Sequence, residues 1–106
     1  MFARNVSIHL KSNMLSDYTR TFEQDVLPLL RKQKGFQDEI TLAGAGGVDV
    51  TAISLWESKN DADAYNTNAY PQVLKAMERF IEGTPKVQTS DVVNSTYHKI
   101  TARVAA

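Results

Sequence analysis

The chain has no cysteine. That absence removes disulfides, thiolate nucleophiles, iron–sulfur ligation and Cys-based zinc sites from consideration. Charge of one sign is also missing, since 12 Lys+Arg balance 12 Asp+Glu. With no surplus cation to neutralise a phosphate backbone, general binding of nucleic acid or of an anionic membrane is disfavoured. Long apolar runs are absent too. The opening segment carries Arg4, His9 and Lys11 and lacks a signal-peptide stretch, and nothing later approaches ~18 consecutive apolar residues. What is present is 106 residues, 42% of them hydrophobic, which suits one domain of ordinary size. A single domain over 1–106, soluble and cytoplasmic, is expected.

Phe2 to Lys11 reads as a strand, with Phe2, Val6, Ile8 and Leu10 on one parity and Asn5, Ser7, His9 and Lys11 on the other. Arg4 is the one break in that pattern. From about 14 to 33 the period becomes helical, with Leu15, Tyr18, Phe22, Val26, Leu29 and Leu30 in one stripe. Asn13 or Ser16 is the expected N-cap, and Gly35 a left-handed C′ residue. Pro28 cannot donate a backbone hydrogen bond, so a bend or a change of local pitch is expected there.

Phe36 to Ala43 and Val48 to Glu57 alternate as two further strands, joined at Gly44-Ala45-Gly46-Gly47. A β-branched run follows those glycines where a phosphate-cradling loop would need a helix start and a Lys, so they read as a hairpin. Ser58 to Asp61 is a capping-box variant opening a helix to about Ala69. Tyr70-Pro71 interrupts it, and a second segment carries Val73, Leu74, Met77, Phe80 and Ile81 before Gly83 and Pro85. Lys86 to about Ile100 reads as a long last strand. The order β-α-β-β-α-β predicts an α+β, ferredoxin-like fold: a four-stranded antiparallel sheet with both helices on one face.

That arrangement leaves one sheet face bare. The third strand nevertheless places Val48, Val50, Ala52 and Trp56 on one parity and Ile53 and Leu55 on the other. Apolar residues on both parities imply that both faces are covered. A second copy of the same sheet is the simplest cover, which predicts a homodimer. A pocket is then expected on the helix-distal side of the strands, next to the second helix.

Several segments in order carry a resemblance: the opening strand, Phe22-Glu23-Gln24-Asp25-Val26-Leu27-Pro28-Leu29-Leu30-Arg31, then Gln33-Lys34-Gly35-Phe36, then Leu55-Trp56-Glu57-Ser58 before a helix containing Ala and Tyr. Over residues 2 to about 98 the chain resembles the antibiotic biosynthesis monooxygenase family. The resemblance implies a dimeric α+β barrel. Members of that family include cofactor-independent oxygenases of quinols and anthrone-like polyketides, haem-degrading enzymes, and many proteins with no assigned activity, and the fold alone does not carry the chemistry over. Anthrone-oxidising members carry an Asn four positions before the Trp and a Tyr six positions after it, where this chain has Ala52 and Ala62; Trp56 alone matches. Haem-degrading members use an Asn in the first strand, matched by Asn5, but their Trp and His positions fall on Tyr65 and Lys75. No haem ligand is therefore implied, and no cofactor is expected.

Cofactor-free oxygenation needs a base, a donor that holds the resulting anion, and a dry aromatic cavity. Asn5, Ser7 and His9 share one strand face at a spacing of two and form the candidate polar cluster. His9 is the candidate base, because imidazole titrates near neutrality, and Asn5 the candidate donor. Trp56, Tyr65, Tyr70 and Ser7 are the candidate substrate contacts. The same residues have plainer readings as core aromatics and a polar strand face. His9 and His98 are the only histidines and could meet if the first and last strands pair in register, but without a carboxylate motif they make no metal site. Two functions follow: a cofactor-independent monooxygenase of a small aromatic or quinol-like molecule, or a non-catalytic dimer of the same fold that binds a small molecule.

Overall fold

The computed structural model describes residues 1–100. Strand β1 (Phe2–His9) leads through Asn13, whose φ of 62° lies in the left-handed region, into α1 (Leu15–Thr21). The cap residue is Met14, with no side-chain capping bond, in place of the expected Asn13 or Ser16. A π-helical turn (Phe22–Val26) follows, and then α2 (Leu27–Arg31). Leu27 donates its backbone N–H to the Phe22 carbonyl, five residues back, so the pitch widens one turn ahead of Pro28, as the missing donor led us to expect. The helical run ends at Arg31 with Lys32 as its cap, so Gly35, with φ of 80°, serves the turn into the next strand and not the expected C′ position.

Strand β2 (Phe36–Ala43) and β3 (Asp49–Trp56) form the hairpin, closed by Gly47 N–H donating to Gly44 O at 2.9 Å. Ser58 caps α3 (Lys59–Asn68) by accepting from Asp61 N–H. The helix layer breaks at Ala69 and resumes as α4 (Tyr70–Met77), with Pro71 in its first turn. After a 3₁₀ turn (Glu78–Phe80) the chain enters β4 (Lys86–Asp91). This strand is shorter than the expected run to Ile100; residues 92–100 are irregular, and His98 bonds Asp38 on β2.

The sheet is antiparallel in the order β2-β3-β1-β4, the ferredoxin-like arrangement. Phe2, Val6, Ile8, Val50 and Trp56 turn toward the helices and join Tyr18, Val26, Leu30, Ala62, Tyr65, Val73 and Met77 in one core. Each large apolar side chain buried there contributes about 1.5–3 kcal/mol. On the other face no described helix packs, and Ile40 and Leu42 of β2 are 55% and 51% exposed. A bulge between Phe36 and Asp38 shifts the alternation, so Phe36 packs against the core while Ile40 and Leu42 turn outward.

Candidate functional site

Register brings three polar residues into one row beneath the helices. Glu39 on β2 lies opposite Ser54 on β3, and Ser54 lies opposite Arg4 on β1. All three line a chamber of about 50 Å³ between the sheet and the helices, with Tyr65 and Tyr70 on its helical side. Beyond it, a groove of about 340 Å³ runs between α1 and the β2 edge, and the two spaces share Tyr18, Phe22 and Glu39 as a common wall. The rings of Tyr18 and Phe22 stack at 5.8 Å, and the π turn begins at Phe22.

Arg4 is 2% exposed. Its guanidinium carbon lies 5.0 Å from the Tyr65 ring centroid and 4.4 Å from that of Tyr70, and Nη2 donates to Asn66 Oδ1 at 2.8 Å. Among the described residues it forms no salt bridge. A buried cation without a counter-ion costs several kcal/mol, of which two desolvated cation–π contacts return about 2 kcal/mol each. The break in the β1 alternation is therefore a charge set deliberately into an aromatic cage.

The phenols answer to the same environment. Burial pushes the Tyr65 pKa up to about 12, against the pull of Arg4 and with smaller contributions from Tyr70 and Glu39. Burial also raises that of Tyr70, and the nearby Arg4 lowers it by charge and by close polar approach. That approach falls short of hydrogen-bond geometry, since the buried Tyr70 hydroxyl has no partner among the described residues. Glu39 is raised above the ordinary glutamate value by burial, offset in part by Thr41 Oγ1 donating to Oε2 at 2.6 Å. A carboxylate held in this way is ready to accept a proton.

Trp56 is fully buried, stacks on Tyr65 at 4.9 Å, meets Phe36 edge-on at 5.6 Å and donates Nε1–H to Ser54 Oγ at 2.9 Å. It stands behind Tyr65 as support for the chamber wall. Ala52 lines the chamber and Ala62 packs in the core, so the two alanines replace larger polar side chains without adding polar groups of their own.

Asn5, Ser7 and His9 do share one strand face, as their spacing requires. That face is opposite to the chamber, whose β1 residues are Arg4, Val6 and Ile8. The helices do not seal onto the sheet, and this space lies between the layers, whereas the expected pocket was placed on the helix-distal side. His9 Nδ1 bonds Asp49 Oδ1 at 2.8 Å, with the imidazole 53% exposed. His98 bonds Asp38 instead, so the two histidines do not pair. No cluster of three or more metal-ligating side chains occurs among the described residues, and no described helix is long and apolar enough to cross a membrane.

Arg4 and Glu39 did not stand out in the sequence as site residues. Arg4 had a signal, a charge at an inward position of an otherwise clean alternation. Glu39 had none, because the bulge that turns it inward leaves no mark in composition.

No family model matches the sequence, and no curated protein matches it. Solved structures do. The ActVA-Orf6 monooxygenase of Streptomyces coelicolor, determined with nanaomycin D, has a TM-score of 0.76 at 16% identity over 89% of this chain and 88% of that one. A variant of SnoaB, a cofactor-independent oxygenase from Streptomyces nogalater, has a TM-score of 0.73 at 11% identity over 92% of this chain and 97% of that one. NE2512 of Nitrosomonas europaea, a protein of unknown function, has 0.69 at 15% identity over 95% and 94%. This chain has the fold of the antibiotic biosynthesis monooxygenase structures. At such identities the likeness is one of fold, and the chemistry has to be argued from the site.

Proposed function

We propose that the chamber binds a small aromatic or quinol-like molecule and directs its oxygenation by O₂ without a cofactor. The observation that carries this reading is the row Glu39–Ser54–Arg4, which puts a partly buried carboxylate and a caged cation in the lining of one aromatic space. Glu39 takes a proton from the bound molecule and Arg4 stabilises the anion that forms. A carbon of that anion bonds to O₂ and, after protonation, carries a hydroperoxide. Loss of water leaves one oxygen atom as a carbonyl and removes the other, so the substrate supplies both electrons. Tyr65 and Tyr70 form the wall, with Trp56 behind them and Asn66 holding the guanidinium. The fold shared with a cofactor-independent oxygenase supports the same assignment.

We further propose that two copies associate through the bare sheet faces, which carry Ile40, Leu42, Ile53 and Leu55 beside Asn5 and Ser7. A second reading of the site follows from the 2.8 Å contact of His9 with Asp49. A carboxylate on Nδ1 orients the imidazole and leaves Nε2 as a base; His9 and Asn5, with Ser7 between them, would then serve a substrate held on that face by the partner copy. O₂ uptake with single-ring quinols tests both readings. The chamber reading requires loss in Glu39→Gln, and the other requires loss in His9→Ala. Binding without O₂ uptake by any variant would make the protein a non-catalytic binder.

A further inference from the structure

The chamber has two chemically distinct ends. Glu39 and Arg4 are separated on the sheet by the single strand that carries Ser54, a spacing of about 10 Å between their backbones. Both line the same partly open space. Arg4 uses one hydrogen bond among the described residues, to Asn66, while a guanidinium carries several further N–H donors in a plane suited to a carboxylate. Tyr70 adds an unpartnered buried hydroxyl at the same end. At the other end, Glu39 receives the Thr41 hydroxyl on one oxygen, which leaves capacity for a donor from the ligand.

We infer that the ligand is a single-ring aromatic acid bearing a hydroxyl group: its carboxylate meets Arg4 and the Tyr70 hydroxyl, its ring lies against the Tyr65 and Tyr70 side chains, and its hydroxyl faces Glu39. This rests on the chamber being the site, but not on oxygenation there. Two features of the space support the choice. A neutral ligand would leave the Arg4 charge uncompensated in a buried cage, whereas a carboxylate supplies the missing counter-ion. At about 50 Å³ the chamber is smaller than the ~150 Å³ cavity that holds one benzene ring, so any ring must displace the Tyr18–Phe22 wall toward the groove, and a single ring asks the least displacement. Ala52 and Ala62 add no competing polar group.

The test is calorimetric titration of the wild-type protein with 4-hydroxybenzoate, benzoate and 4-hydroxybenzyl alcohol, with the emission of Trp56, the one tryptophan, as a second readout. The first probe should bind about tenfold more tightly than either of the others, the difference expected for one charge-assisted hydrogen bond. Arg4→Gln should erase the preference over the alcohol, and Glu39→Gln the preference over benzoate. The wild-type comparison and the Glu39 variant remain decisive if Arg4→Gln fails to fold. Equal binding of acid and alcohol, or binding of none of the three, overturns the inference. Preferential binding of 4-hydroxybenzoate with no O₂ uptake upholds it and removes the oxygenase reading. Oxidation of neutral quinols without any preference for the acid does the reverse.

Discussion

The Arg4 guanidinium carbon lies 4.4 Å from the centroid of the Tyr70 ring, while the hydroxyl of that ring is buried without a hydrogen-bond partner among the described residues. The contact holds the cation by the aromatic face and leaves the phenol's polar end unspent. An unsatisfied buried hydroxyl costs stability of about 1–3 kcal/mol. Native proteins keep such groups chiefly where a ligand or water completes them.

Tyr70→Phe removes the hydroxyl and keeps the ring over Arg4. Thermal denaturation should show the variant as stable as wild type, or more stable by up to ~1 kcal/mol. Affinity for an aromatic acid should fall in the same variant. A loss of stability would mean that the hydroxyl already has a partner in the folded protein.

Glu39 carries the pH dependence. Its folded pKa is raised by burial above the ordinary 4.5, so the folded state favours the protonated form. Its favourable contribution is complete below the ordinary value and is lost as pH rises through the raised one. Glu39→Gln should therefore have a higher Tm than wild type at pH 7, with the gap closing near pH 4. A gap that grows on acidification would show that the carboxylate, and not the acid, is the form the fold prefers. Turnover at Glu39 has the opposite slope, falling as acid protonates the base.

Gly35 tests the turn that seats β2. Its φ is 80°, and a Cβ there would lie 2.1 Å from Asp61 Oδ2, beside the Ser58-capped start of α3. Gly35→Ala should cost roughly 1–3 kcal/mol in denaturant unfolding from backbone strain, with the clash in addition. Asp61→Ala in the same chain should recover only the part due to the carboxylate, since the Asp61 Cβ itself lies 2.6 Å from the added methyl. Full recovery would mean that the left-handed backbone is not strained.

The bare sheet face gives an oligomeric prediction. Wild-type protein should sediment as a dimer at micromolar concentration, and Ile40→Asp with Leu42→Asp should sediment as a monomer that keeps its helical circular dichroism. A monomeric wild type would leave that face without the cover we propose.

Most of the fold was legible because it follows from periodicity. The alternation in β1, the helical stripe from Leu15 to Leu30, the Gly-rich hairpin and the Ser58 cap are local signals, and the β-α-β-β-α-β order leaves one sheet face without helices. The break of pitch followed from the missing donor of Pro28. Lys86 onward was read too long, since Val and Thr continue past Asp91 but the pairing with β1 stops at its first residues. The site was less legible because it depends on register. A single bulged residue in β2 reverses which side chains face inward, and no local pattern announces it. The polar row Asn5–Ser7–His9 was correctly grouped, while the chamber formed on the parity that carries Arg4, the one residue that broke the pattern.

The central claim is that chemistry occurs in the chamber between helices and sheet. Its most direct measurement is the rate of O₂ consumption by wild type, Glu39→Gln and His9→Ala with single-ring quinols, including 2,5-dihydroxybenzoate as the acidic member. Wild type should consume O₂, Glu39→Gln should lose at least about tenfold in rate, as removal of a positioned base does, and His9→Ala should match wild type. Uptake that survives Glu39→Gln and disappears in His9→Ala would place the reaction on the open face and contradict the chamber as its seat.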